Sequence, residues 1–346
     1  MTPTSHADLL AVPSARREAI ERLAREFVPG RQVALSTHVN SDGDGCGSES
    51  ALARLLTHMG LQPWIVNPTP WPQLFRFLLG DDVVDRSADG ARALKHADLL
   101  VVLDISDVGR LGPLAEAVRH LSVPRVMIDH HIAGDVPAGG VVLSDTAACA
   151  TGELIFDVAQ VLGLPITPDI AASLYVALLT DTGGFRFSNT SPRCHAIAGA
   201  LLASGVEPET MYRRIYQSVP AGRLRLLRDA LDSLEHDPDI GLAWISVEAG
   251  ALERYGVLAE DMDGIVEHPR SIVGTRLAIF FRDLGHDRVK ISFRSTGTVD
   301  ANRLAKQFGG GGHARASGAL VTGTMTDVKS RVVEAARAFL RASPLG

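Results

Sequence analysis

The run from Leu99 to Asp104 constrains the fold more than any other stretch of the chain. Five apolar residues, Leu99 to Leu103, are followed directly by an acid. A strand without polar alternation is buried on both faces, which is typical of parallel sheets that are covered by helices on two sides. Val33–Leu35 and Arg125–Ile128 repeat this apolar pattern. We therefore predict an α/β fold whose N-terminal domain contains a parallel sheet.

Length and charge limit the function. A chain of 346 residues is long enough for two domains, each with its own core. The net charge of -6 argues against holding long nucleic acid by bulk electrostatics, but it leaves room for a small anionic substrate bound by local groups. Three dispersed cysteines and the lack of a long apolar run predict a reducing cytoplasm and no membrane span.

The periodicity divides the chain into three parts. Residues 1–190 carry the apolar strands and form the parallel-sheet domain, 191–235 are helical in pattern and form a connector, and 236–346 form a smaller α/β domain. In the last part, Arg276–Phe281 and Arg288–Phe293 read as a hairpin.

A cluster of polar residues follows the first predicted strand. His38, Asp42 and Asp44 lie in the Gly-containing stretch between that strand and a predicted helix, Ser48–Met59. In open α/β sheets, ligands bind at the carboxyl ends of the strands. Because glycine lets the backbone turn tightly, the three side chains can converge there, and we predict that they bind a metal ion.

The same design recurs three times. Asp104 ends the second apolar run, Asp129, His130 and His131 end the next, and Asp181 follows a predicted helix. Consecutive histidines on a loop point in different directions, so one can ligate a metal while the other faces the substrate. Asp129 is suited to accept the far ring N–H of a ligating histidine. The alternative is that these acids only cap helices and form turns.

A glycine run, 309–312, precedes His313 and Arg315 near the end of the chain. Four glycines after a helix let backbone N–H groups approach an anion closely, and Arg adds a donor pair that fits a phosphate. Arg294 and Ser295 end a nearby strand. A flexible turn is the alternative interpretation of the glycine run.

Taken in order, these motifs resemble those of the DHH phosphoesterase superfamily, and the second half is similar to its DHH-associated C-terminal domain. Ser41 departs from the pattern, because the first motif commonly has Pro there. That position is not a ligand in the family, so we expect no loss of chemistry.

The resemblance implies two divalent metal ions, Mn²⁺ before Mg²⁺, with Asp104 bridging them. The implied metal ligands are His38, Asp42, Asp44, Asp104, His130 and Asp181. The implied catalytic residues are Asp104, Asp129 and His131, of which His131 would stabilise phosphoryl oxygens or protonate the leaving group. The implied substrate-binding residues are His131, Arg294, Ser295, Gly311, Gly312, His313 and Arg315.

Among DHH proteins, the chain resembles the compact two-domain oligoribonucleases. This implies metal-activated hydrolysis of short RNAs, including linear dinucleotides such as pApA, and removal of the 3′-phosphate from 3′-phosphoadenosine 5′-phosphate. The implied partner is a short RNA or nucleotide, and a homodimer would be unsurprising. The alternatives are a non-catalytic nucleotide sensor and an inorganic pyrophosphatase.

Overall fold

The computed structural model describes residues 5–134, 136–262, 264–312 and 314–342. It divides into two compact units, the first ending at Ser218 and the second beginning at Val219. The stretch predicted as a connector contains three helices, of which the first two belong to the first unit and the third to the second. The bounds predicted at 190 and 235 remain predictions.

The first unit contains a five-stranded, entirely parallel sheet. Its strands are β1 (Gln32–Ser36), β2 (Gln62–Ile65), β3 (Leu99–Leu103), β4 (Arg125–Asp129) and β5 (Val141–Ser144). The spatial order is β2-β1-β3-β4-β5. All five residues of β3 are buried, and they alternate between the cores on the two faces of the sheet. The predicted parallel sheet is confirmed, while β5 was not predicted.

Helices cover this sheet. They are α1 (His6–Leu10), α2 (Ser14–Leu23), α3 (Gly43–His58), α4 (Ala91–Leu94), α5 (Ala115–Arg119), α6 (Thr151–Leu162), α7 (Pro168–Asp181), α8 (Pro192–Ala203) and α9 (Pro208–Tyr216). Helix α3 begins five residues before the predicted Ser48, because the Asp42 carboxylate accepts the N–H groups of Asp44 and Gly45 and so caps an earlier first turn. Asp181 lies in the last turn of α7 and not in a loop.

Helices α3 and α7 pack closely through glycines of α3. A Cβ on Gly43 would lie 2.4 Å from Thr180 Oγ1, and a Cβ on Gly47 would lie 2.4 Å from the Ser173 carbonyl oxygen. These contacts leave no room for a side chain. The glycines therefore bring together the helices that carry Asp44 and Asp181.

The second unit contains a six-stranded mixed sheet. Its strands are β6 (Glu235–Asp237), β7 (Leu242–Val247), β8 (Leu277–Asp283), β9 (Arg288–Ser295), β10 (Gly311–Gly312) and β11 (Ala316–Thr322). Its helices are α10 (Ala221–Asp232), α11 (Ala251–Tyr255), α12 (Glu267–Arg270), α13 (Ala301–Lys306) and α14 (Met325–Ala342). The order is β10-β11-β9-β8-β7-β6, and only β7 and β8 run parallel. The predicted β8–β9 hairpin is confirmed.

Strand alternation builds two cores in this unit. Leu277, Ile279 and Phe281 of β8 face α13 and α14, whereas Ala278 and Phe280 face α10 and α11. The period of two thus buries both faces of the sheet. Within the described part of the chain, every helix is too short or too polar to span a bilayer.

Candidate metal centre

The predicted ligands of the first unit meet at the carboxyl edge of its sheet. The strand order reverses between β1 and β3, and this switch point is where open α/β sheets bind ligands. His38 lies two residues beyond β1, Asp104 directly follows β3, and Asp129 is the last residue of β4. The topology therefore brings together residues that are far apart in the sequence.

The first group of ligands is His38, Asp42 and Asp104. His38 Nε2 lies 3.4 Å from Asp104 Oδ2 and 3.7 Å from Asp42 Oδ1. The other ring nitrogen, Nδ1, lies 3.0 Å from the carbonyl oxygen of Val39. Because a carbonyl only accepts, Nδ1 carries a hydrogen, and Nε2 is the nitrogen that can ligate a cation once it has lost its own proton.

The second group is centred on His130. Its Nε2 lies 3.7 Å from Asp44 Oδ2, 3.6 Å from Asp104 Oδ1 and 3.7 Å from Asp181 Oδ2. This nitrogen is buried and has no hydrogen-bond partner among the described residues. Its Nδ1 lies 3.3 Å from the carbonyl oxygen of Ala148, which again leaves Nε2 as the ligating atom. An unpartnered imidazole nitrogen surrounded by three carboxylates fits a divalent cation.

Asp104 belongs to both groups and presents a different oxygen to each. Oδ2 faces His38 and Oδ1 faces His130, as a bridging ligand requires. Its backbone has a φ of +61°, a left-handed conformation that is uncommon outside glycine. Its N–H donates to the carbonyl of Ile128 at the end of β4. Such backbone conformations cluster at functional sites, where the surrounding structure holds them.

The charges of this cluster favour a cation. Burial and the nearby Asp44 raise the pKa of Asp104 well above its usual range, and burial with Asp44 raises the pKa of Asp181 to about 8. Burial alone would lower the pKa of His38, but Asp104 and Asp42 outweigh it and raise that pKa to about 10. A divalent cation would relieve the repulsion between the carboxylates. Mixed carboxylate and imidazole donors suit Mn²⁺ and, less well, Mg²⁺.

Asp129 does not orient the histidine that we expected. Its Oδ1 lies 2.7 Å from Nδ1 of His131, whereas Nδ1 of His130 contacts a backbone carbonyl instead. Asp129 is fully buried, and His131 Nδ1 also lies 3.7 Å from Asp104 Oδ1. The carboxylate that we expected to accept a histidine N–H is thus present, and its partner is the histidine predicted to face the substrate.

Several residues that the sequence did not single out hold the ligands in place. Ser48 Oγ donates to Asp44 Oδ1 at 3.1 Å, and Thr151 Oγ1 donates to Asp104 Oδ1 at 3.0 Å. Asn189 Nδ2 donates to Asp181 Oδ2 at 3.2 Å. The sequence signal for Thr151 is the helical pattern of the twelve residues from Thr151 to Leu162, which begins at this residue.

The predicted substrate-binding residues of the second unit differ in their surroundings. Ser295 is buried, and its Oγ lies 2.6 Å from the Val299 carbonyl oxygen, so its hydroxyl braces the backbone instead of facing a ligand. Arg294 is partly exposed and lies 3.4 Å from Glu267 Oε1. Arg315 is exposed, and its guanidinium makes no ion pair with the described residues. Arg315 is therefore the more available cation.

The four glycines do not form one anion-binding loop. The N–H groups of Gly309 and Gly310 donate to carbonyls in the last turns of α13 and so close that helix. Gly311 and Gly312 form β10, whose exposed backbone pairs with β11. Only these two glycines remain candidates for contact with an anion. His313 lies outside the described residues.

Both units match known domains. The model of the DHH family, N-terminal domain, matches residues 32–178, and that of the DHHA1 domain matches residues 246–342. The chain is 33% identical over 312 residues to the bifunctional oligoribonuclease and PAP phosphatase NrnA of Thermus thermophilus, covering 88% of this chain and 89% of that protein. It is 28% identical to the protein of the same name from Bacillus subtilis, covering 84% and 89%.

A solved structure is similar over nearly the whole chain. It is an exopolyphosphatase-related protein from Bacteroides fragilis, with a TM-score of 0.85 and 27% identity, covering 94% of this chain and 96% of that one. Exonuclease RecJ bound to manganese has a TM-score of 0.54 at 16% identity, which supports the fold alone. The identity to the Thermus protein over most of both chains, together with the two domain matches, shows that this protein belongs to the DHH family and carries a DHHA1 domain.

Proposed function

We propose that this protein is a metal-dependent phosphoesterase that hydrolyses short oligoribonucleotides to mononucleotides, including linear dinucleotides such as pApA. We further propose that it removes the 3′-phosphate of 3′-phosphoadenosine 5′-phosphate. The observation that carries the proposal is the position of Asp104, which forms one ligand group with His38 and Asp42 and places its other oxygen 3.6 Å from His130 Nε2 of the group formed by Asp44, His130 and Asp181. The names of the 33% and 28% identical relatives support both activities.

The metal ligands proposed here form two sets. His38, Asp42 and Asp104 would hold one divalent ion, and Asp44, Asp104, His130 and Asp181 would hold the other. When bound, such ions would supply Lewis acidity that activates water for attack and offsets charge on the phosphoryl group. We propose Mn²⁺ as the preferred ion and Mg²⁺ as a substitute.

His131 acts on the proton of the leaving group. Asp129 accepts its Nδ1–H and fixes the ring, so Nε2 is the atom that meets the substrate. Held in this way, the ring presents Nε2 for proton transfer to the departing oxygen or to a phosphoryl oxygen. His131 is therefore the proposed catalytic residue, and Asp129 positions it.

The second unit contributes nucleotide binding. Arg315 is exposed and presents the bidentate donor geometry that suits a phosphate. Arg294 is also partly exposed, and the exposed backbone of Gly311 and Gly312 lies in the same sheet. We propose that these residues bind the nucleotide.

The three cysteines are buried free thiols, which agrees with the predicted cytoplasm. A homodimer stays a prediction.

A substrate panel tests the function. It comprises a 5′-phosphorylated RNA dinucleotide, a longer RNA, 3′-phosphoadenosine 5′-phosphate and pyrophosphate, each with Mn²⁺ and then with chelator. We expect chelator-sensitive release of mononucleotide from the dinucleotide and of phosphate from the bisphosphate. The Asp104→Asn variant should be inactive on both.

Three results would contradict the proposal in different ways. Turnover of pyrophosphate alone would make the protein a pyrophosphatase. Binding of Mn²⁺ and nucleotide without turnover of any substrate would make it a sensor. Full activity of the Asp104→Asn variant would remove the bridging role of that carboxylate.

A further inference from the structure

Thr151 is the first residue of α6 and contacts two of the proposed metal ligands at once. Its Oγ1 donates to Asp104 Oδ1 at 3.0 Å, and its backbone N–H donates to Asp44 Oδ2 at 2.6 Å. The next N–H, that of Gly152, donates to Asp44 Oδ1 at 2.9 Å. Thr151 is fully buried. One residue thus links carboxylates from two distant elements, α3 and the end of β3.

The bond to Asp104 bears on how that carboxylate is oriented. The terminal torsion of an aspartate is broad, so the side chain itself does not fix the plane of its carboxylate. In this protein, the plane decides which oxygen meets which histidine, with Oδ2 3.4 Å from His38 Nε2 and Oδ1 3.6 Å from His130 Nε2. Among the described residues, the Thr151 hydroxyl is the side-chain group outside the ligand set that donates a hydrogen bond to Asp104 Oδ1.

Helix α6 is itself held firmly in place. The Arg16 guanidinium lies 2.6 Å from Glu153 Oε1 and 2.8 Å from Asp157 Oδ2, and both carboxylates are buried. Arg193 binds the same two carboxylates from α8. Because these ion pairs fix the first turns of α6, the Thr151 hydroxyl has a defined position from which to act.

We propose that Thr151 is a positioning residue that orients Asp104 between the two metal ions. The proposal rests on the metal-dependent function proposed above, but it concerns metal binding and not the choice of substrate. Outer-shell partners of metal ligands typically contribute roughly 10- to 100-fold to metal affinity or activity. Loss of the hydroxyl should therefore weaken metal binding without unfolding the protein.

The test compares Thr151→Val with Thr151→Ser. Valine keeps the shape and the backbone N–H but lacks the hydroxyl, whereas serine restores it. Chelator-treated protein is titrated with Mn²⁺, and free Mn²⁺ is followed by its electron paramagnetic resonance signal. We expect affinity at one or both sites to fall roughly tenfold or more in Thr151→Val and to recover in Thr151→Ser.

Thr57→Val is the matched control. Thr57 lies on α3, the helix that carries Asp44, but its hydroxyl donates to the Ala53 carbonyl within that helix and its side chain is exposed. This variant should bind Mn²⁺ as the wild type does. A melting curve in chelator establishes that each variant is folded, and Thr151→Ala is titrated beside the valine variant because alanine fits even if valine does not.

The outcomes separate the two proposals. Wild-type Mn²⁺ affinity in both Thr151→Val and Thr151→Ala overturns the positioning role, whether or not the enzyme hydrolyses RNA. Failure of Thr151→Ser to restore binding overturns it as well. A wild-type protein that binds Mn²⁺ but hydrolyses nothing in the panel contradicts the proposed function, while the titrations still decide the role of Thr151.

Discussion

The close packing of α3 on α7 predicts that Gly47→Ala destabilises the protein. The new Cβ would lie 2.4 Å from the Ser173 carbonyl oxygen and 3.1 Å from Ala177 Cβ. Real Cβ contacts shorter than 3.0 Å are essentially absent, so the two helices must separate by at least 0.6 Å, the difference between 3.0 and 2.4 Å. The obstructing atom belongs to the backbone and cannot rotate away.

Two opposing effects set the size of the change. Overpacking a tight contact costs up to about 3 kcal/mol, whereas Ala is favoured over Gly in a helix by about 1 kcal/mol. We therefore expect Gly47→Ala to lower the free energy of unfolding by about 2 kcal/mol. The separation also moves Asp44 relative to Asp181, so Mn²⁺ binding should weaken in parallel.

Gly199→Ala is the matched control in the same unit. Gly199 lies in α8, and beyond its own helix no atom of the described residues lies within 4 Å of an added Cβ, so only the helix preference remains and stability should rise by about 1 kcal/mol. Urea unfolding in chelator, followed by circular dichroism, measures both variants. If Gly47→Ala is as stable as the wild type, the inference that α3 and α7 pack too closely for a side chain at this position is wrong.

Three further predictions concern buried charges. Burial raises the pKa of Glu49 to about 8, so folding holds its proton at a pH where the unfolded chain has lost it. This stabilising contribution is complete below the usual pKa of 4.5 and is lost as the pH rises towards 8. Urea unfolding of the metal-free protein should therefore show that Glu49→Gln gains stability relative to the wild type across that range. A difference in stability that does not change with pH would contradict this prediction. Arg16→Met leaves two buried carboxylates of α6 short of a cation and should cost about 3–5 kcal/mol in urea unfolding; a loss under about 1 kcal/mol would show that Arg193 suffices. Asp129→Asn removes the carboxylate that accepts the His131 Nδ1–H and fixes the ring, so kcat on the RNA dinucleotide should fall about 10²-fold or more with KM little changed, and an unchanged kcat would exclude the proposed role.

Much of the first unit followed from local patterns. The unbroken apolar run of β3 predicted burial on both faces, and the structure has both. The acids at strand ends were recognisable because they stand directly after apolar runs, where an unpaired carboxylate needs a partner. Short elements were missed, among them β5, because four residues carry too little periodicity.

The orientation of the ligands could not be predicted from local sequence patterns. Whether Asp129 meets His130 or His131 depends on the loop that follows β4, and the sequence specified only that the partner is a ligating histidine. Thr151 reaches Asp104 across 47 residues, and Ser295 points inward although it ends a strand beside Arg294. These contacts depend on how separate elements pack, which no single stretch encodes.

The sequence by itself thus determined which residue types stand at the carboxyl ends of the strands, and with them the chemistry of the site. The tertiary structure alone decided which oxygen of Asp104 faces which histidine, which glycines remain exposed to an anion, and which side chains hold the ligands. The physical reason is that strand burial is a property of neighbours in the chain, whereas ligand orientation arises from packing between elements that are far apart in sequence.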